Sequence, residues 1–598
     1  MPQPPACGAP TAPGASRRRR TARTLRRELP LLPAVLMLLA FMAGPIAYAF
    51  YGAFTNRTMS GHKAVNPDFI GVDNYVSLLS DPDFYTSVLL TLAFLLGSAI
   101  VGQNVLGMCV AVLMRHTPPS VSSAVGACIV GAWVMPEIVA AFACYAFFHT
   151  EGTLNRLLEV VGLEGPAWLV AFPMLSVILA NIWRGTAFSM MNYNAALAQI
   201  PPEIKESAQI DGAGALQSFF RISLPIIRRT IATNLMLTTL QTLGVFTLIF
   251  VMTGGGAGHT LLDPAGAGLP GGLQVLADRL RLSHRHRHAR HRRPLLHRLR
   301  PRPQAGGRVT MSARSSFGGS ARLASPRGRG LRVTATAVLL LVGLAFILPL
   351  VWLVLASLDD AATLSVRIPQ VWTADNFTEI LTPEQTFRPL WNSFVISLGT
   401  AALTIIVSLL AAYPLSRYRI RFNKGFMYTV LFGTCLPITA LMVPVYSLFV
   451  SFKLLDSLAG TVVFMASTSL PMAIWMMKNF MDSVPVSLEE ASWVDGASAM
   501  TALWRVVVPL MRPGIAVVFI FVFTGAWGNF FVPFILLFSS ENQPAAVAIY
   551  NFFGMYGAIA YGKLAAFSIL YSLPAVLLYV ITQMRLGNSF AMAGAVKG

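Results

Sequence analysis

Eleven apolar stretches, each long enough to cross a bilayer, constrain this chain more than any other feature. A helix needs about 20 consecutive apolar residues to span the hydrocarbon core. Such runs lie at residues 29–54, 87–114, 122–148, 168–195 and 230–252, and again at 333–358, 394–415, 426–449, 460–480, 515–538 and 564–584. The fold class that follows is an all-α polytopic membrane protein with bundles of five and six transmembrane helices. Of the 598 residues 55% are hydrophobic and only 12% charged, too few charges to cover a water-exposed surface.

The formal charge of +20 does not point to nucleic acid, because it is concentrated: residues 279–332 hold sixteen arginines, no lysine and no acid. A basic segment is not a basic surface. Cys7, Cys109, Cys128, Cys144 and Cys435 form no CxxC pair and no metal spacing, which is the pattern of small buried hydrophobes. The N-terminal run "SRRRRTARTLRRELPLLPAVLMLLAFMAGPIAYAF" continues past the length of a signal core and meets no small-x-small cleavage site, so an uncleaved anchor is expected.

Cytoplasmic loops carry the excess of Lys and Arg. Arg17 to Arg20 place the N-terminus inside, and alternate crossing then puts Arg115 and the loop of residues 205–229 inside as well. The arginines before Val333 set the second half, whose loop of residues 489–512 also faces the cytoplasm. One step conflicts. The fifth span ends outside at "VMTGGGAGHT", the second half must begin inside, and nothing between residues 253 and 332 is apolar enough to cross. The intervening Arg, His, Pro and Gly have the composition that a shifted reading frame of a GC-rich gene gives, and Met311 follows as a candidate start of a separate protein. A basic linker is the plainer alternative. The expected divisions are a basic cytoplasmic tail at 1–28, a first membrane domain lacking its sixth span at 29–258, the join at 259–330 and a second membrane domain at 331–598.

Both inward loops repeat one pattern. "KESAQIDGAGALQSFFRISLP" begins at Lys205, and "EEASWVDGASAMTALWRVVVP" begins 284 residues later at Glu489. Pro201 and Pro485 stand where a new helix starts after a span. Asp211-Gly212 and Asp495-Gly496 are turn dipeptides, and Pro225 and Pro509 break the chain before the next span. Each loop therefore reads as a short helix, a turn and a second helix. Ile210, Leu216, Phe219 and Phe220 find no apolar partner within so short a loop. A single amphipathic loop of this kind is equally suited to lying on lipid; two copies in one register argue for two equivalent docking points.

The residues at this point resemble the coupling-loop motif of the membrane subunits of bacterial ABC importers, EAA-x3-G-x9-I-x-L-P. Glu206-Ser207-Ala208 is followed by three residues, Gly212, nine residues and Ile222-Ser223-Leu224-Pro225. Glu490-Ala491-Ser492, Gly496 and Val506-Val507-Val508-Pro509 keep the same spacing, with Ser for the second Ala and Val for Ile and Leu. Flanking stretches such as "FIGVDNYVSLLSDPDFYTSVLLTLAF" and "WNSFVISLGTAALTIIVSLLAAYPLSRYR" are similar to the first and second membrane subunits of the carbohydrate-uptake branch, the maltose and glycerol-phosphate type. The resemblance implies two permease subunits fused in one chain, with a coupling helix before the penultimate or last remaining span of each. It implies a multi-pass protein of the cytoplasmic membrane that translocates a sugar-like solute, an extracytoplasmic solute-binding protein, and a dimer of ATP-binding subunits holding the ATP and Mg. Glu206, Ala208, Asp211, Gly212 and Pro225, with Glu490, Ala491, Asp495, Gly496 and Pro509, are the coupling-loop candidates.

No phosphate-loop motif occurs, no Ser/His/Asp set stands out, and the chain is not expected to be an enzyme. His284, His286, His288 and His291 look like a metal tract but fall in the anomalous join. Polar groups inside spans mark solute paths, because an unpaired charge or amide in lipid is costly. Glu137, Asn181, Trp183, Arg184 and Asn192 are the first-half candidates, and Trp527 and Asn529 those of the second, aromatic rings and amides being suited to a carbohydrate. Hydrogen bonding between helices is the competing role for each, and interfacial snorkelling for Arg184. An ion-coupled secondary transporter and a non-functional fused relic are the alternative functions at this level.

Overall fold

The computed structural model describes residues 28–58, 62–254, 326–418, 420, 423–433, 438–554 and 560–586. The expected basic tail apart from Glu28, the join over residues 255–325 with its histidines, Cys7 and Cys435 lie outside the described residues. In chain order the first helices are α1 (Leu29–Ala53), α2 (Pro82–Met114), α3 (Pro119–Val134), α4 (Glu137–Phe148), α5 (Pro173–Ala198), α6 (Pro202–Ile210), α7 (Arg228–Leu243) and α8 (Thr247–Thr253). They are followed by α9 (Pro326–Ser357), α10 (Pro383–Arg417), α11 (Ile438–Ser451), α12 (Leu458–Asp482), α13 (Val486–Val494), α14 (Arg512–Trp527), α15 (Phe531–Leu536) and α16 (Tyr561–Leu586). Among the described residues the only β structure is two isolated bridges, Thr55 with Phe69 and Asp359 with Trp372.

Among the described residues six helices are each long and apolar enough to cross a membrane, and nine spans result if each of three bent helix pairs counts as one. The expected span over 122–148 is such a pair: α3 and the segment beginning with α4 meet at 110°. Met135 and Pro136 are extended there, and a proline cannot continue a helical hydrogen-bond ladder. The span after the first repeated loop is broken as well, α7 from α8 by 51°, and in the second loop the Ala499–Leu510 segment meets α14 at 80°. Two further apolar stretches of the sequence fall outside the nine. One is α5, 26 residues long but carrying Asn181, Arg184, Asn192 and Asn194. The other is divided between Asn423–Gly433 and α11, on either side of undescribed residues.

Contacts divide the chain into two compact units that do not follow the sequence halves. One comprises Ala49–Ile380 and Phe552–Val576, the other Met1–Tyr48, Leu381–Asn551 and Leu577–Gly598. In the first, α9 packs on α3, α4 and α2. In the second, α1 packs on α10 and α12. Ala34 is the contact that admits α1: its small side chain is buried in a cluster with Val407, Ala411, Leu415, Leu470 and Ile474. Small residues let helices approach where lipid supplies no hydrophobic drive.

The α2–α5 contact shows how closely these helices come. The middle of α2, Leu95–Gln103, is π-helical, so residues five apart share a face. Gly97 and Gly102 lie on that face against Ile178 and Ile182, and Gly107 follows against Ser189. A Cβ on Gly102 would sit 2.2 Å from Ile182, and one on Gly107 2.5 Å from Ser189 Cβ. At Gly107 the α5 backbone itself blocks a side chain, whereas at Gly102 the end of the Ile182 side chain would have to turn aside.

Candidate functional site

The two repeated loops share one backbone. In the first, α6 is followed by Ala215–Ser218, a π turn Phe219–Ser223, the single turn Leu224–Ile226 and then α7. In the second, α13 is followed by Ala499–Ala502, a π turn Leu503–Val507, Val508–Leu510 and α14. Every boundary is displaced by the same 284 residues as the sequence motif. Pro201 and Pro485 cap the first helix of each loop, as their position in the sequence suggests.

The turn is closed by the backbone itself. Gly212 and Gly496 take φ of 81° and 87°, a left-handed conformation that costs other L residues energy. Gly212 N–H donates to the Gln209 carbonyl at 3.1 Å and Ala213 N–H to the Ala208 carbonyl at 2.9 Å. Gly496 donates to Trp493 and Ala497 to Ser492 at the same two distances. This pair of bonds is the Schellman helix stop, which satisfies carbonyls left over at the helix end.

The side chains of the loops fall into an anchored and an outward set. Ala208, Ser223 and Ile227 are buried in the first loop; Glu489, Ala502, Leu503, Val507 and Met511 are buried in the second. The outward set is apolar and matched in register: Ile204 with Leu488, Ile210 with Val494, Leu216 with Met500, Phe220 with Trp504 and Ile226 with Leu510 are all exposed. Ile210 and Val494 are 86% and 88% exposed. Of the motif residues, Glu206, Asp211, Gly212, Pro225, Glu490, Ala491, Asp495 and Gly496 are also exposed, Ala208 is buried and Pro509 half-buried.

The loops differ in how they are held. Glu489 meets Arg417 at the end of α10, with Nε to Oε1 at 2.5 Å and both side chains almost wholly buried. Lys205 occupies the position of Glu489 in the first loop and is influenced by another cation, Arg115, at the end of α2. Burial first, and the Arg115 charge second, hold the Lys205 ammonium below the usual lysine range.

Three of the seven intramembrane candidates, Asn181, Trp183 and Asn192, are hydrogen-bonded to neighbouring helices. Asn181 Nδ2 donates to Ser98 Oγ at 2.9 Å and Thr242 Oγ1 at 3.3 Å. Trp183 Nε1 donates to the Phe346 carbonyl at 3.2 Å, and the two rings stack. Asn192 Nδ2 donates to Asn234 Oδ1 at 2.7 Å. Asn234 donates in turn to Asn104 Oδ1, Ser189 Oγ and Tyr193 OH, and Asn104 donates to Thr238. Buried amides joined in this way glue α2, α5 and α7 together. Sequence reasoning missed Asn104, Gln103 and Asn234, although the rule that selected Asn181 applies equally to two amides inside the apolar run "VGQNVLG".

Glu137 and Arg184 are arranged differently. Arg184 Nη2 stands 3.9 Å from Glu137 Oε2, too long for a good hydrogen bond. Glu137 Oε1 and Arg184 Nε are both buried without a partner. Glu137 opens α4 immediately after the 110° break, where the helix dipole favours a carboxylate. In the other unit, Asn529 Oδ1 accepts from Val532 N–H at 3.0 Å at the start of α15, and Trp527 stacks on Phe523.

Two like-built loops joined to apolar helices, with hydrogen-bonded amides between those helices, define a polytopic membrane protein with an internal repeat. The chain belongs to the family of binding-protein-dependent transport system inner membrane components, whose sequence profile matches it twice, at residues 103–270 and 404–586. The first match runs past residue 258, where the sequence placed the end of the first domain. Relatives align with about half of the chain or less. An ABC transporter permease protein of Streptomyces antibioticus is 33% identical over 230 residues, 38% of this chain and all of the relative. Two sulfoquinovosyl glycerol transport system permease proteins of Agrobacterium fabrum also match. One is 31% identical over 45% of this chain and 95% of its own length, the other 30% identical over 38% and 74%. The family is one of transport permeases rather than enzymes, located in the inner membrane, and membership favours binding-protein-dependent transport over an ion-coupled secondary transporter.

Proposed function

We propose that this single chain supplies both permease halves of an ATP-binding-cassette importer for a sugar or related glycosyl solute. The helices α6 and α13 are its two coupling helices, and each enters a cleft on one ATP-binding subunit of a dimer that holds the ATP and Mg. An extracytoplasmic solute-binding protein delivers the solute. The observation that carries this reading is the pair of loops with one backbone, exposing five apolar positions in the same register. Exposed apolar residues on a rigid turn suit a protein cleft, and a homodimeric motor needs two such elements. The sulfoquinovosyl glycerol relatives support a glycosylated solute.

The spans divide five plus six, and the join replaces a sixth span of the first half with out-of-frame sequence; the positive-inside conflict supports this. Glu137 and Arg184 face the solute path, since each keeps a polar atom unbonded, and Trp527 with Asn529 serves the second half. Asn181, Trp183 and Asn192 serve helix packing.

Co-purification from native membranes tests the docking role. The tagged chain is expected to carry an ATP-binding subunit with it, and the double variant Ile210→Asp with Val494→Asp to lose it. Full retention by that variant would sink the docking role. For the solute path, Glu137→Gln keeps the shape and removes the charge. Uptake kinetics are expected to change while membrane insertion does not; unchanged kinetics would leave Glu137 as a packing residue.

A further inference from the structure

The Arg417–Glu489 pair does more than close a gap. Arg417 is 3% exposed and Glu489 0%. Besides its bond to Glu489, the guanidinium donates from Nη2 to the Val484 carbonyl at 3.0 Å and from Nη1 to Ser416 Oγ at 3.1 Å. Ser416 donates to Asp482 Oδ1, and Lys478 Nζ donates to Asp482 Oδ2 at 2.6 Å. One cation at the end of α10 therefore holds the connection leaving α12 and the first turn of α13 together. Stability alone does not explain such a pair, because desolvating two charges cancels most of their attraction and apolar residues of like volume commonly serve as well. Directional attachment does explain it: α13 cannot shift without carrying the end of α10.

The first loop lacks this particular pair. Lys205 stands at the position of Glu489, and Arg115 spends Nη2 on the Asn194 carbonyl at 3.1 Å. Two cations cannot clasp each other.

We infer that Arg417 and Glu489 are positioning residues that lock the second loop to the end of α10, so that motion imposed on this loop enters its helix bundle through that clasp. This rests on the docking role proposed above. The test uses the complex purified from native membranes and two variants. Arg417→Met with Glu489→Leu replaces the pair by apolar groups of similar volume and is expected to fold. Its ATP-binding subunits stay bound, amide exchange over residues 487–494 speeds up, and solute-stimulated ATP hydrolysis falls about tenfold, within the range of ordinary coupling energies. Glu489→Gln keeps an acceptor for Arg417 and loses the charge assistance, giving a smaller loss of roughly threefold. Arg156→Met, which breaks an exposed ion pair with Glu159 outside both loops, leaves stimulation unchanged. Unaltered stimulation in the apolar double variant, or an equal loss in Arg156→Met, overturns the inference. Absence of any ATP-binding subunit from the unmutated complex instead overturns the docking reading itself.

Discussion

Lys205 and Glu489 hold the same place in two loops whose backbones agree turn for turn, yet one is influenced by Arg115 and the other is clasped by Arg417. The contrast separates two kinds of information. Backbone course is set by a few residues with conformational demands: the prolines that start each helix, the left-handed glycines, and the small residues after them. These are alike in both loops, and so is the outward apolar set. Attachment to the bundle is set by side chains without such demands, and there the copies differ. The two copies thus expose the same apolar positions while differing at Lys205 and Glu489 in their surroundings.

Removing one partner from the second loop has the largest expected effect. Arg417→Ala leaves Glu489 buried and uncompensated, which costs about 3–5 kcal/mol, read as a marked fall in the unfolding temperature of the solubilised chain. Arg115→Ala, at the end of α2, removes a charge that opposes Lys205 together with a bond to the Asn194 carbonyl, and changes stability by roughly 0.5 kcal/mol or less. Similar losses in both would break the contrast in anchorage.

The glycines test the likeness instead. Nothing lies within 4 Å of a Cβ built on Gly212 or Gly496, so only the backbone angle penalises a larger residue. Gly212→Val and Gly496→Val should each cost about 1–2 kcal/mol and lower solute-stimulated ATP hydrolysis by a comparable factor. A loss confined to one loop would show that the matched backbones do not perform matched work.

A smaller effect sharpens the contrast. Lys205→Glu gives the first loop the carboxylate of the second, and Arg115 is the cation positioned to meet it. Because Lys205 is only half-buried, a gain of about 0.2–1 kcal/mol is expected, checked by thermal unfolding. A loss of stability would show that Arg115 does not face this position.

The apolar runs made the spans legible, since period and length suffice to mark a helix that must bury its backbone polar groups in lipid. The loop turns were legible for a different reason: Gly212 and Gly496 answer a local demand that sequence spacing states directly. The packing of α1 on α10 and α12 was not legible, because Ala34 looks like any other small residue in an apolar run. Nor was the division of labour among the polar candidates. Asn181 and Glu137 break the same rule in sequence, and only their partners distinguish a bonded amide from a carboxylate with a bare oxygen. The Arg417–Glu489 clasp joins residues 72 apart in the chain, a distance no local pattern bridges.

The central claim is that one chain carries both docking loops of a paired motor, and the stoichiometry of the complex tests it most directly. Native mass spectrometry of the complex from its own membranes should show one copy of this chain with two ATP-binding subunits. A complex holding two copies of the chain with two ATP-binding subunits would mean that only one loop per chain is used, and would contradict the account.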